Sequence, residues 1–240
     1  MLFRSMSLCL DAFLPKRCAG CETPIRRDAL CPPCAGSLLP GDEGACPQCG
    51  AQDLERGSDA PSGRCGPCLT RPPSFLRARG AYAYGGALSN GIRRWKSRPE
   101  PTLSQTMCDL FQRSSWSPSS KASPSKVLLV PPDPRRLRAR GFHPAGLLAR
   151  AMARRLALPV APFAVRANAS YPISRGQSRE QRRERLRGVF RVESDAVRDQ
   201  RILLVDDVMT TGATVETIAR GCLRAGASSV EVVVLARAPR

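Results

Sequence analysis

The chain has 240 residues and a formal net charge of +18, from 38 basic and 20 acidic side chains. That length gives room for one domain of ordinary size and a small appendage. No apolar run reaches the roughly 20 residues of a membrane-spanning helix, and the charge points to a polyanionic partner. Only four of the bases are Lys and 34 are Arg, so codon bias is an alternative source of the charge.

Leu2 to Leu14 is apolar in patches, but Arg4 and Asp11 interrupt it and no small-residue cleavage site follows. This reads as no signal peptide, and hence as a cytoplasmic protein. Eight of the eleven cysteines then form four Cys-x-x-Cys pairs: Cys18 with Cys21, Cys31 with Cys34, Cys46 with Cys49, and Cys65 with Cys68. In a cytosolic chain this argues for metal, not disulfides. Two thiolates spaced by two residues grip one side of a tetrahedral ion, and a second such pair closes it. Structural Zn²⁺ is expected, with iron–sulfur and single redox pairs as the alternatives. Sequential pairing suits the spacings, which leave interleaving open. Few apolar residues lie between the pairs, so this region depends on metal to fold.

Globular patterning resumes at Ala78. Ala81 to Tyr84 predicts a strand. Leu88, Ile92 and Trp95 share one helical face, and Leu103, Met107, Leu110 and Phe111 mark another helix with Cys108 in the core. Ser114 to Lys126 reads as an exposed linker. Val127 to Val130 predicts a buried strand. It leads into Pro131, Pro132, Asp133 and Pro134, and then Arg135, Arg136, Arg138 and Arg140. A rigid turn followed by four arginines forms a diphosphate grip, because Arg binds phosphate oxygens in a bidentate fork. A solvated helix start is the alternative. The next helix points Leu147, Leu148, Ala151, Met152 and Leu156 inward and Arg150, Arg154 and Arg155 to solvent. His143, the sole histidine, is either a phosphate or base contact or a residue that simply opens this helix.

Val160 to Val165 predicts a strand. Asn168 to Arg187, dense in Arg, predicts a lid, with a solvated charged helix as the alternative. Strand character resumes from Gly188 to Val192. Ile202 to Val205 is an apolar run suited to a strand buried on both faces. Asp206 and Asp207 end it, followed by Val208, Met209, Thr210, Thr211, Gly212, Ala213 and Thr214. A helix starting near Thr214 shows Val215, Ile218, Ala219, Cys222 and Leu223 at helical spacing, and Gly226 marks its end. Val230 to Leu235 predicts a second buried strand, completing a βαβ unit. The loop offers backbone N–H groups and three hydroxyls at a helix N-terminus, a ready anion site. The paired carboxylates can accept from two vicinal sugar hydroxyls. Phosphate on one side and diol on the other describe a ribose 5-phosphate. An ordinary βαβ turn with solvated acids is the alternative. A nucleotide hydrolase would need a G-x-x-x-x-G-K-[ST] loop, which the chain lacks.

The stretch from Arg201 to Thr214 resembles the phosphoribosyl-pyrophosphate (PRPP) signature of type I phosphoribosyltransferases. The full order adds paired Cys knuckles, the Tyr84, Leu88, Ile92, Lys96 spacing, a Val-Pro-x-Pro to Arg-Gly-Phe segment, and a closing Ala-Arg. That order resembles the ComF/GntX family of competence-associated, phosphoribosyltransferase-like proteins. The resemblance implies an α/β fold of the type I phosphoribosyltransferase kind: a mostly parallel sheet flanked by helices, over residues 78–240, behind a Cys-rich double zinc-ribbon region at 1–72. It implies that Asp206 and Asp207 hold the ribose hydroxyls, that Thr210 to Thr214 hold the 5-phosphate with Val208 and Met209 also at the PRPP site, and that Mg²⁺ accompanies PRPP. Arg136 and Arg140 would steady the diphosphate. It further implies single-stranded DNA and a competence DNA helicase as partners. A phosphoribosyltransferase is the first reading; a non-catalytic PRPP-sensing or DNA-binding scaffold is the other. The chain departs from the family pattern at His143-Pro144, Ser174 and Arg185.

Overall fold

A computed structural model of the chain describes residues 16–25, 29–52, 62–119, 123–168, 181 and 184–239. Two small ribbons come first. β1 (Lys16–Arg17) and β2 (Pro24–Ile25) pair antiparallel around Cys18 and Cys21. Cys31 then caps the short helix α1 (Pro32–Gly36), which carries Cys34. The second ribbon repeats this plan, with Cys65 capping α2 (Gly66–Thr70), which carries Cys68. In both helices a proline occupies the first turn, where its missing N–H costs nothing.

The elements that follow are β3 (Ala78–Ala83), α3 (Gly86–Ser97), α4 (Pro101–Arg113), β4 (Lys126–Leu129), α5 (Pro134–Arg140) and α6 (Pro144–Leu156). Then come β5 (Val165–Ala167), β6 (Phe190–Val192), α7 (Ser194–Val197), β7 (Arg201–Met209), α8 (Ala213–Arg224) and β8 (Ser229–Arg237). Among the described residues the main sheet is parallel, in the order β3, β8, β7, β4.

The apolar runs are continuous because both faces of this sheet are covered. Alternation along β7 divides the core. Leu203 and Val205 face the layer of α3, α4 and α6, packing with Ile92, Trp95, Phe111, Leu148 and Met152. Ile202 and Leu204 face α8, where Ile218, Ala219 and Cys222 meet them. Each ribbon belongs to one of these layers: Cys18 and Leu30 lie in the first, and the cysteines of the second ribbon lie in the other. The residues between the ribbons cover the free edge of β3. Ala83 N donates to Leu39 O at 2.9 Å and Gly41 N to Ala81 O at 3.2 Å, which shields an edge strand from foreign pairing.

Several elements differ from their sequence reading. β7 runs four residues beyond Val205, so both carboxylates ride on the strand itself. Val160 makes only an isolated bridge to Val127, and strand pairing waits until Val165. Pro159 and Pro162 explain this, since neither can donate to a ladder. The four arginines that follow the proline turn after β4 lie on a helix of their own, α5. Asp133 caps it by accepting from Arg135 N at 2.9 Å and Arg136 N at 3.1 Å. Arg155 is exposed, as expected, and its Nη2 also donates to Trp116 O at 2.7 Å.

Candidate active site and metal centres

The cysteines gather in sequential sets: Cys18, Cys21, Cys31 and Cys34 in one, and Cys46, Cys49, Cys65 and Cys68 in the other. Within each set the four sulfurs lie within 4.8 Å of one another. Cys21 and Cys31 sulfurs are 3.6 Å apart, as are those of Cys49 and Cys65. Four ligands about 2.3 Å from a tetrahedral zinc stand about 3.8 Å from each other, so the donor sets fit that ion. Backbone N–H groups support the thiolates, with Cys31 N donating to Cys18 Sγ and Cys65 N to Cys46 Sγ, both at 3.3 Å. Crowding of four sulfurs is costly without a cation. Burial, then the sulfurs of Cys31, Cys21 and Cys18, push the Cys34 thiol far above its ordinary value. At Cys68 the hydrogen bond with Cys49 does this first, with burial next. The sequence left interleaved pairing open; the fold selects the sequential sets because the first ribbon is seated on α3 and the second on β3.

A cleft of about 480 Å³ opens at the carboxyl ends of β4 and β7. One wall is Asp206, Asp207 and the loop Val208 to Thr214. The other is built from Pro131 to Asp133, Arg136, Arg140, Phe142 and His143. All eleven residues read from the sequence as ribose, phosphate or diphosphate contacts therefore line one cavity. Arg135 and Arg138, in the same run, are exposed and outside it. Arg185 and Leu186 complete the rim. Ser174 and most of the expected lid, including Arg175, Arg179, Arg182 and Arg183, lie outside the described residues.

Local geometry explains the loop. Gly212 stands at φ 78°, a left-handed conformation glycine adopts without strain, and it caps α8. The first turn of α8 is anchored from behind by Glu216. Its buried carboxylate accepts from Ser74 N at 2.8 Å, Ser74 Oγ at 3.0 Å and Arg220 Nη2 at 2.7 Å. The open N–H groups of this helix and its dipole favour an anion in the cleft.

The two acids differ in environment. Asp207 Oδ1 pairs with Lys96 Nζ at 2.7 Å. Asp206 accepts from Asp207 N at 2.8 Å. Burial first, and then the charge of Asp207, raise the Asp206 carboxyl from 3.8 to about 8. At neutral pH it holds its proton. His143 precedes α6 and is half-buried; burial lowers it to about 4, against a smaller opposing pull from Asp207. The ring is thus neutral, and both sequence readings of it meet here: it opens the helix and it lines the cleft.

Two positions beside the cleft entered the sequence reading only as parts of the family pattern. Lys96 appeared there only as a spacing, although it is the cation nearest the acid pair. Arg237, fully buried at the end of β8, donates to the Met209 and Thr210 carbonyls at the root of the loop. A charge ending an otherwise apolar run was the available signal.

Comparison with known proteins places these two parts. Residues 140–240 match the Phosphoribosyl transferase domain and residues 9–69 the Double zinc ribbon domain. The chain is 30% identical over 233 residues to the DNA utilization protein YhgH of Salmonella typhi, covering 93% of this chain and 98% of that one. It is 28% identical over 226 residues to Competence protein F of Haemophilus influenzae, covering 92% and 90%. Competence protein ComFC of Bacillus subtilis is 30% identical over 165 residues, which are 66% of this chain and 63% of that one. Among solved structures, the allosteric regulatory enzyme of purine biosynthesis aligns over 55% of this chain and 26% of its own, at 20% identity and a TM-score of 0.36. No helix among the described residues is long and apolar enough to cross a membrane. With two Cys sets fit for structural zinc joined to a parallel sheet that ends in an acid pair and a phosphate-type loop, the chain belongs to the ComF/GntX family, which holds the DNA utilization and competence proteins.

Proposed function

We propose that the cleft binds PRPP and that the chain is a phosphoribosyltransferase-type protein acting in the handling of single-stranded DNA. The observation that carries the first half is the convergence of Asp206, Asp207, the Val208 to Thr214 loop, Arg136 and Arg140 on one cavity. The loop and helix N-terminus suit the 5-phosphate, and the acids suit the ribose hydroxyls. Arg136 and Arg140, on the opposite wall, suit the diphosphate. Lys96 stands where it can follow the charge leaving the anomeric carbon. Mg²⁺ would be held beside Asp206 and Asp207 and would neutralise the diphosphate. Displacement there asks for positioning and leaving-group stabilisation more than for a nucleophilic side chain. The half-buried, neutral His143 closes the floor without adding charge.

Calorimetric titration of PRPP with Mg²⁺ tests the site, with ribose 5-phosphate as the weaker control. Saturable PRPP binding is expected. Its absence, in protein carrying its zinc, would end this reading. Diphosphate release, measured with and without DNA, separates transferase from ligand-sensing scaffold.

A second cleft, of about 660 Å³, supports the DNA half. It lies on the outer side of α8 and is lined by Arg71, Arg187, Arg220 and Arg224 with Glu184 and Glu216. Both acids are already engaged, Glu184 with Arg187 at 3.0 Å and Glu216 with Arg220 at 2.7 Å, which leaves the rim basic. Phosphates of a flexible strand fit such a surface, and a cytoplasmic site of action fits reduced thiolate ligands. Binding should be without sequence preference and steeply salt-dependent. Each neutralised phosphate contributes about 0.7 to the slope of log K against log salt on single strands, so the Arg187→Ala, Arg224→Ala double variant should flatten it by about 1.4. A slope unchanged by the two substitutions would place the strand elsewhere.

A further inference from the structure

Arg237 is the last residue of β8 and is 0% exposed. Its Nη1 donates to the carbonyl oxygens of Met209 at 2.8 Å, of Ala238 at 2.8 Å, and of Thr210. Its Nε donates to the carbonyl oxygen of Cys49 at 3.2 Å. One planar guanidinium therefore touches the root of the anion loop and a ligand residue of the second metal set. The peptide plane carries this grip into the cleft. In a trans peptide the N–H points opposite to the C=O of the preceding residue. Holding the carbonyls of Met209 and Thr210 toward Arg237 turns the N–H groups of Thr210 and Thr211 away from it.

The knuckle that supplies Cys49 is itself clamped to the sheet. Gln48 O accepts from Ala78 N at 2.7 Å. Arg79 Nη1 donates to Cys46 O at 3.2 Å and Arg79 Nη2 to Pro47 O at 3.0 Å. Gly50 sits at φ 64°, where a Cβ would come within 2.5 Å of the Ala78 carbonyl oxygen. The knuckle thus lies flat on β3 and meets Arg237 from below. The first ribbon is anchored differently: Arg94, on α3, donates from Nη1 to Cys18 O at 3.2 Å and pairs with Glu22 Oε1 at 3.4 Å.

We propose that Arg237 is a positioning residue that makes the shape of the anion loop depend on metal in the second cysteine set, and not on metal in the first. With zinc bound, the four ligands fix the Cys46 to Gly50 turn, and the Cys49 carbonyl holds Nε in register. Without it, that turn relaxes and the guanidinium loses one of its anchors; Ala238 N still holds Met209 O at 3.0 Å, so the Thr210 peptide is the one that loosens. The linkage is reciprocal, since an anion that orders the loop must favour the metal-bound knuckle. The inference rests on the zinc reading of the clusters but not on the identity of the ligand in the cleft.

Hydrogen–deuterium exchange on the full chain, with zinc content measured on the same samples, tests it. Cys68→Ser should lose one zinc ion and speed exchange of the 208–214 peptide by roughly tenfold, as expected for a locally opened segment. Cys34→Ser should also lose one ion and leave that peptide unchanged. Arg237→Lys should keep both ions and still speed the loop, because a point-like ammonium cannot serve the carbonyls that the planar fork reaches. Should a variant fail to fold, chelator-treated wild-type protein carries the test: loop exchange should accelerate together with the 62–70 segment and not with 29–36. Zinc loss in Cys68→Ser with an unchanged loop would overturn the coupling. Equal acceleration in Cys34→Ser would do so as well, by showing general loosening. Two ions retained in Cys68→Ser would overturn it through the metal assignment.

Discussion

Replacing Cys46 by serine is expected to remove one of two zinc ions and to melt the second ribbon, with a larger loss of thermal stability than Cys21→Ser in the first. Structural zinc contributes apparent free energies of about 10–16 kcal/mol in isolated zinc-finger peptides, so removing one thiolate forfeits a large share of it. The two sets differ in burial. Cys46, Cys49, Cys65 and Cys68 are each at most 2% exposed and pack with Phe75, Val230 and Val232 in the α8-side core. Unfolding that ribbon strips apolar surface from the main sheet and frees the Arg79 and Arg237 contacts. In the first set Cys18 is buried but Cys21 is exposed and Cys31 and Cys34 are only partly covered. Metal analysis and thermal melting of the two variants decide the matter. Retention of two ions in Cys46→Ser, or an iron–sulfur absorption in wild type, would contradict the assignment.

Asp207→Asn is expected to weaken Mg²⁺-dependent PRPP binding by about tenfold or more. Hydrogen bonds to charged groups contribute roughly 1.5–3 kcal/mol, and about 1.4 kcal/mol is a factor of ten. The substitution also releases Lys96, whose ammonium then stands without its carboxylate at 2.7 Å. The double change of Asp206 and Asp207 to Asn should abolish the diol contact, and equal affinity in wild type and double variant would remove the acids from the site. Asp206 adds a pH signature. Its carboxyl is raised to about 8 by burial and by Asp207, so it carries a proton that a diol or cation at the charged carboxylate must displace. Affinity should climb from pH 6 toward pH 8 by up to about tenfold per unit and then level. Asp206→Asn should erase the climb. Folding stability runs the other way. A carboxyl raised in the native state binds more protons folded than unfolded between its ordinary 3.8 and about 8, so its contribution declines as pH rises through that window.

The β7, α8, β8 unit was legible because its signals are local: an apolar run, a glycine where the chain turns left-handed, and helical spacing of Val215, Ile218, Ala219 and Cys222. The metal sets were legible from spacing alone, except for their pairing, which depends on how each knuckle seats on β3 and α3. The residues whose roles escaped are those whose meaning lies far away in sequence. Lys96, on helix α3, acquires its role from Asp207 on β7, and Arg237 from Cys49 and Met209. Asp133 hid as part of a proline turn, though it satisfies the first N–H groups of a helix. Val160 to Val165 misled because apolar residues outweighed two prolines that break the ladder.

The order of strands has a consequence for how the chain is made. β8 follows every other strand in sequence, yet it lies between β3 and β7. During synthesis β3 emerges early and has no sheet partner until β8 arrives. The ribbons close over short spans and can take up metal while the rest is still being translated. The sheet cannot, since its pairings are long-range and such topologies form slowly. The segment at 39–41 lies along the outer edge of β3, so the edge left open until β8 arrives is its inner one, facing the equally unpaired edge of β7. A chaperone or a second nascent copy would compete with β8 for that edge, which makes slow translation through the α8 region the most aggregation-exposed moment in this protein's life.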